Sequence, residues 1–441
     1  MASLSNRNIP LFIAFRVFFN ARWYYPVLAV LFLKLGLTLE QYALLNVAWA
    51  ISIVCLEIPS GALADQIGRR RIIVLAAALM IIEIGLFAFA PRGSSLLFPL
   101  LLLNRLLSGA AEACASGADE SLAYDSLRED GREAEWPAVL VRLMRWQSVA
   151  FFITMLLGAA VYDPALVRQA FEFAGVHLPI TSEMTMRWPL YLTLGNALIV
   201  CFVVAQMREP GIRHLQVTAS AGDAWRQTVA SGRWILRTPL LLSVIVAGLC
   251  IDSVVRLFLT LCSNYYKLIG LPEASFGAIA AGFAVFGFFT PKLAQWLAGR
   301  CTMAVNFLMV ASLAFVGLMT AARFWQVWGL LAVIPLSMAM AMLQFFLSHY
   351  LNRSVTDSSQ RATILSFKGL AFNLAYGAAG LLFAGFTRAK AGAGTQDQIF
   401  VLAFQLLPWF FAAMMLIPLL IHARILLANS HLPARPVLNE P

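Results

Sequence analysis

The run Gly61-Ala-Leu-Ala-Asp65-Gln-Ile-Gly68-Arg69-Arg70-Arg71 joins two long apolar stretches, about 40–62 and 71–90, and its reading decides the fold. Glycines at 61 and 68 allow close helix approach and a tight reversal. Asp65 sits where it can accept from nearby donors, and the arginines anchor the next helix at a membrane surface. Further along the chain, apolar runs such as Ile72 to Ala90 and Phe400 to Ile421 are continuous. A membrane β-barrel would instead show short alternating segments. Of 441 residues, 61% are hydrophobic and 12% charged, with a mean hydropathy of +0.78. Ordinary globular chains carry about 25% charged residues, so soluble, disordered, collagen-like and disulfide-rich secreted classes are excluded. At about 20 residues per crossing, the chain holds about twelve spans and no soluble domain of useful size.

The apolar runs fall at about 9–33, 40–62, 71–90, 95–122, 143–162, 187–207, 239–262, 272–298, 303–322, 324–350, 362–388 and 397–424, with boundaries good to about 2–4 residues. With the N-terminus inside, inner loops and tails hold 20 Lys and Arg against 8 outside. The positive-inside rule then sets both termini in the cytoplasm. That bias accounts for most of the +10 net charge without nucleic acid. Arg16 and Arg22 interrupt the first apolar stretch and no small-residue cleavage site follows, so it reads as a spanning helix rather than a signal peptide. The six cysteines lie in or beside apolar runs without metal-type spacing and read as small buried residues. The expected organisation is an N-terminal six-helix half (1–207), a basic cytoplasmic linker (208–238), a C-terminal six-helix half (239–424) and a cytoplasmic tail (425–441). Residues 163–186, outside, read either as a short helix on the membrane surface or as an extended loop.

About 230 residues after the Gly61–Arg71 loop, Pro291-Lys-Leu293-Ala294-Gln-Trp-Leu-Ala-Gly299-Arg300 is a worn copy, with Gln295 in place of the acid. Two homologous halves are the plan of a rocking transporter. The chain resembles the major facilitator superfamily. Gly61 to Arg71 is similar to that family's signature loop between helices 2 and 3 almost position by position. Glu57-Ile-Pro-Ser-Gly61 leads into it, and Arg105 to Gly109 resembles the family's fourth-helix Arg-x-x-x-Gly element. Ser116 to Ser126 and Arg361 to Ser366 resemble a bacterial efflux-permease-like branch. Helix 5 departs from the pattern: Thr154 to Asp163 has only Gly158 where drug/proton antiporters carry Gly-x-x-x-Gly-Pro. The resemblance implies an all-α fold of twelve membrane helices around a central cavity lined by helices 1, 4, 7 and 10.

A charge near the bilayer centre costs about 2.5–3.5 kcal/mol on insertion scales. Helix 1 carries Arg16 and Arg22, helix 4 Arg105, Glu112 and Asp119, and helix 7 Asp252 and Arg256. Arg105, Glu112 and Asp119 are spaced by seven, on one helix face. Arg22, Arg105, Glu112 and Asp252 are expected to form a polar network, with Glu112 or Asp252 as a protonatable switch. The alternative is structural ion pairing, and Asp252 and Arg256, four apart, can simply neutralise each other. Glu83 in helix 3 faces Arg22 or Arg105, or is protonated against lipid. In helix 1, Arg16, Asn20 and Trp23 share a face that offers an amphipathic wall, and Pro26 can break the helix. The resemblance implies a cytoplasmic gating network of Gly61, Asp65, Gly68, Arg69 and Arg70, with Arg69 bridging to Asp119 or Asp125.

The histidines are scattered and no ATP-binding loop is found, so neither an enzyme nor an ATP-driven pump is expected. No cofactor or metal is expected either. The sequence is read as a secondary transporter of the bacterial inner membrane, moving a small amphipathic solute by alternating access with proton-coupled efflux. A lipid or lysophospholipid flippase of the same fold is the alternative, and a channel is a distant one. Expected partners are a small-molecule substrate, protons and membrane lipids, without nucleic acid, and the chain is expected to act as a monomer.

Overall fold

The computed structural model describes residues 4–211, 238–353 and 358–429, together with 222 and 226. Most of the expected linker (208–238) and of the tail (425–441) lies outside the described residues.

Helix α1 (Leu4–Asn20) stops in the middle of the first apolar run. Irregular residues 21–24, a 3-10 turn (Tyr25–Val27) and α2 (Leu28–Leu35) complete that run. Pro26 has no N–H to bond the Arg22 carbonyl and its ring would crowd that group, so an α-helix cannot run on through 22–26; the Tyr25 N–H takes the Arg22 carbonyl instead. Inside a membrane the freed backbone needs protein partners. The Ala21 carbonyl accepts from Asn196 Nδ2 at 2.8 Å, and the Trp23 N–H donates to the Thr193 hydroxyl at 3.1 Å.

Helix α3 (Leu39–Ile67) opens with a reciprocal capping box between Thr38 and Gln41 and closes at Gly68, whose φ of 104° suits glycine alone. Next come α4 (Arg69–Ala88) and α5 (Leu97–Ala115). Gly117, at φ 77°, then interrupts the fourth apolar run before α6 (Ala118–Glu129). After α7 (Trp136–Tyr162), the segment 163–186 forms a short helix, α8 (Pro164–Phe173), and one turn, α9 (Ser182–Thr185). Asp163 Oδ1 caps α8 by accepting from the N–H groups of Ala165 and Leu166. Of the two readings of this loop, the helix is the one found. The helices up to α10 (Trp188–Gln206) are termed the first half and those from Pro239 onward the second.

The second half comprises α11 (Pro239–Thr260), α12 (Cys262–Leu268), α13 (Ser275–Arg300), α14 (Met303–Ala321), α15 (Val333–Arg353), α16 (Ser358–Ala389) and α17 (Gln396–Asn429). Among the described residues no strand is found, and ten helical stretches are long and apolar enough to cross a membrane. Two further expected crossings are the broken α1–α2 segment and α13. Several helices outrun their apolar runs, because helix geometry continues past the lipid boundary that hydropathy marks. Helix α7, for example, starts at Trp136, about seven residues before the expected 143.

The two halves meet along two seams, α3 against α16 and α7 against α13. Helix α2 also packs on α12. The end carrying the Gly61–Arg71 loop is termed the motif end, and the opposite end the far end. A Cβ on Gly277 would overlap the Met155 carbonyl oxygen, and one on Gly158 would overlap that of Trp23. Only glycine allows α13 to sit this close to α7, and α7 to the α1–α2 break.

Candidate functional site

The seams and the far-end contacts enclose a cavity of about 480 Å³ between the halves. The α1–α2 break supplies Arg22, Tyr25 and Pro26 to its wall, α3 supplies Asn46 and Trp49, α5 supplies Arg105, Ser108 and Glu112, and α7 supplies Phe151 and Met155. From the second half come Arg256 and Thr260 of α11, Ser263 and Tyr266 of α12, Phe276 of α13, Ser337 of α15 and Tyr376 of α16. Four of the predicted charged residues (Arg22, Arg105, Glu112 and Arg256) therefore share one space.

Arg22 is 4% exposed and Glu83 1%. Their side chains pair with Arg22 Nη1 donating to Glu83 Oε1 at 2.5 Å. Arg22 Nε also donates to the Phe19 carbonyl at 3.1 Å, and the other Glu83 oxygen accepts from Asn104 Nδ2 at 2.8 Å. Of the alternatives for Glu83, Arg22 is the partner. The second half repeats the plan. Arg256 Nη2 lies 2.7 Å from Asp252 Oδ2, and Arg256 Nη1 donates to Asn373 Oδ1 at 3.1 Å. The Arg256 guanidinium lies 5.3 Å from the Tyr376 ring centre. Asp252 does not line the cavity but lies buried behind Arg256. In each half, a buried carboxylate thus holds an arginine toward the cavity. In the first half both charges are removed from water and need this pairing and the hydrogen bonds around it, whereas in the second Asp252 is buried and Arg256 is 28% exposed.

Arg105 differs. It is 6% exposed, its Nε and Nη2 have no hydrogen-bond partner, and its guanidinium lies 5.0 Å from the centre of the Phe32 ring. Its chain neighbour Asn104 turns toward α4 and donates to both the carboxylate and the carbonyl oxygen of Glu83. Glu112 follows two turns later on the cavity wall.

The third member of the seven-residue series, Asp119, belongs to α6, because Gly117 ends the straight helix. It pairs with Arg16, whose Nη2 donates to Asp119 Oδ1 at 2.8 Å. Arg16, Asn20 and Trp23 do not form one wall. Arg16 is bound to Asp119, Asn20 is exposed where α1 ends, and Trp23 lines a second cavity of about 500 Å³ with Ile13, Val17, Trp146 and Ile153.

At the motif end, Arg69 pairs with Asp125. Gly61 lies in α3, and the side chain of Asp65 is outside the described residues. Sequence reasoning missed Glu209, whose carboxylate accepts from the Arg69 N–H at 2.9 Å and the Arg70 N–H at 2.7 Å. It caps the start of α4, where Gly68 has no side chain to do so. Arg70 Nη2 donates to the Ala205 carbonyl at 3.0 Å. In the second half, the equivalent Arg300 lies 4.5 Å from the Trp296 ring centre, in keeping with Gln295 replacing the acid.

A helical membrane protein whose two halves enclose a cavity with charged walls has the architecture of a solute transporter. The profile of the Major Facilitator Superfamily matches residues 11–380, and the chain belongs to that family. Among solved structures, the chain is similar to the nucleoside transporter NupG (TM-score 0.71, 10% identity, covering 96% of this chain and 99% of that one). It is likewise similar to a bacterial homologue of the human lysosomal transporter Spinster in an inward-facing, unoccupied conformation (TM-score 0.67, 15% identity, 98% of each chain). A third likeness is to a D-xylose–proton symporter (TM-score 0.60, 14% identity, 92% of this chain and 95% of that one). At these identities the likeness establishes the fold alone. No curated protein sequence matches the chain with significance.

Proposed function

We propose that the chain is a secondary active transporter that moves a small amphipathic solute by alternating access, with proton-coupled efflux from a bacterial cytoplasm. The observation that carries this reading is the cavity between the halves, into which both halves project an arginine held by a buried carboxylate. Its wall mixes these charges with Tyr25, Trp49, Phe151 and Tyr376, which suits a solute with a polar head and an apolar body. The excess of positive residues in the motif-end loops supports a cytoplasmic motif end. Contacts between the halves at the far end, with Tyr25 and Phe151 exposed at 45% and 41%, support an inward-facing arrangement. The Gly61–Arg71 loop, with Arg69 held by Asp125 inside the first half, is then the gating element that the second half meets when the motif end closes. Glu112 is the protonatable group on the cavity wall, and Asp252 the second candidate.

The flippase reading draws on the second cavity. Its wall is almost wholly apolar, with Arg142 beside it, which suits an acyl chain and an anionic head. Flux in proteoliposomes with an imposed pH gradient, measured against drugs, organic anions and lysolipids, tests both readings. Saturable flux that follows the gradient and is lost in Glu112→Gln is expected. Gradient-driven movement of lysolipids alone would select the flippase, and ungraded symmetric flux of small ions would overturn transport altogether.

A further inference from the structure

We infer that the cavity selects an amphipathic organic anion and that Arg105 is its anchor. The inference rests on the reading of the cavity as the substrate site and adds the charge and shape of the group bound there. The cavity's arginines are unequally balanced. Arg22 has Glu83, and Arg256 has Asp252 and Asn373. Glu83 has a second donor in Asn104, so both of its oxygens are engaged. Arg105 has no carboxylate, and its Nε and Nη2 are buried without a hydrogen-bond partner. Among the described residues no ion pair joins Arg105 to Glu112, seven residues further along α5.

A buried cation with no hydrogen-bonded anion is among the costliest groups a protein can hold. Here it lines a cavity that a small molecule can enter. A guanidinium presents its N–H groups as a rigid planar fork, matched by an anion with two coplanar acceptor oxygens. Phe32 covers one face of the guanidinium, and with Nε and Nη2 enclosed an anion in the cavity meets Nη1 first. Tyr25, Trp49 and Tyr376 line the same space from three other elements. These rings provide faces for a flat apolar body attached to the anion, and a volume of about 480 Å³ lies within the range of about 300–1,000 Å³ of small-molecule sites. Carboxylates and sulfonates share this chemistry.

The test is equilibrium binding to the purified full-length protein of radiolabelled 2-naphthoate, competed by 2-naphthalenesulfonate and by the neutral 2-naphthalenemethanol. Binding of naphthoate at least tenfold tighter than of the alcohol is expected, with that preference abolished in Arg105→Gln. Arg105→Lys keeps the charge without the fork and serves if the glutamine variant does not fold. It should weaken naphthoate at least fivefold while leaving the alcohol unchanged. Competition by the sulfonate equal to that by unlabelled naphthoate assigns the site to anions generally, and weak competition assigns it to planar carboxylates. The inference is overturned if the alcohol binds wild-type protein as tightly as naphthoate, or if the anion preference survives in both variants. Flux measurements separate it from the wider reading. Arg105-dependent binding without gradient-driven flux of any probe would sink the transport proposal and leave the anion site standing. Gradient-driven flux of alcohol and anion alike would do the reverse.

Discussion

The two ends of the molecule are tied in different ways. At the far end the bonds cross from one half to the other. Lys34 Nζ lies 2.7 Å from Glu273 Oε2, the Ser263 hydroxyl accepts from the N–H groups of Ala29 and Val30, and the Tyr42 hydroxyl donates to the Thr260 carbonyl at 3.0 Å. At the motif end the bonds described above lie within the first half and the residues that directly follow it. Arg69 pairs with Asp125, Arg16 with Asp119, and Glu209 caps α4. Asn8 exchanges hydrogen bonds with the backbone of Arg208. Bonds inside a half make it a rigid body, whereas bonds across halves have to break if the molecule rocks. The first kind should therefore set stability and the second the balance between conformations.

The largest effect on flux is expected where the far-end seam is closest. In Gly277→Ala the new Cβ would overlap the Met155 carbonyl oxygen, a backbone atom that cannot rotate aside. Overpacking of this kind costs about 1–3 kcal/mol, and opening the α7–α13 seam relieves it. Flux should fall at least tenfold. Cys262, which lines the cavity at 7% exposure, should react faster with a membrane-impermeant thiol reagent, as read by peptide mass. An unchanged rate at Cys262 would show that the seam does not close this end.

On stability, the largest effect is expected at the buried pair inside the first half. Glu83→Gln leaves Arg22 buried without its anion, and breaking such a pair costs about 3–5 kcal/mol. Thermal unfolding in detergent should show the loss. The double variant Arg22→Gln with Glu83→Gln should recover much of it, since no uncompensated charge remains. If the double variant were as unstable as the single, the pair would not be acting through charge balance.

How much of this was legible in the sequence follows the range of the interactions. The apolar runs, the Gly61–Arg71 loop and the arginines on helices 1, 4 and 7 are local patterns, and they located both the fold and the cavity. Pro26 announced the break in the first helix for the same reason. Partner choice was not local. Glu83 takes Arg22, 61 positions away, only because α4 is rotated so as to present it, and no hydropathy pattern encodes that rotation. Glu209 caps a helix start 140 positions earlier. Its one trace in the sequence was a helix beginning Gly68-Arg69-Arg70 with no acceptor of its own. The seven-residue series on helix 4 misled past Ala115, since the spacing assumed a straight helix and Gly117 at φ 77° ends it.

The smallest effect should come from the ion pair that spans the halves. The side chains of Lys34 and Glu273 are 32% and 20% exposed, and exposed pairs contribute about 0.2–1 kcal/mol. Lys34→Gln should therefore leave the unfolding temperature nearly unchanged and shift the balance toward a separated far end by at most about fivefold. Distances between spin labels on the outer ends of α2 and α13 would report that shift. High salt supplies an independent check, because screening shortens from about 10 Å at 0.1 M to about 3 Å at 1 M. Wild-type protein in 1 M salt should approach the distance distribution of Lys34→Gln, and the variant should respond less. Exchanging the charges, Lys34→Glu with Glu273→Lys, should restore the closed population. A destabilised Lys34→Gln with an unmoved distance distribution would place this pair with the bonds that build a half, and the distinction between the two ends would fail at the far end.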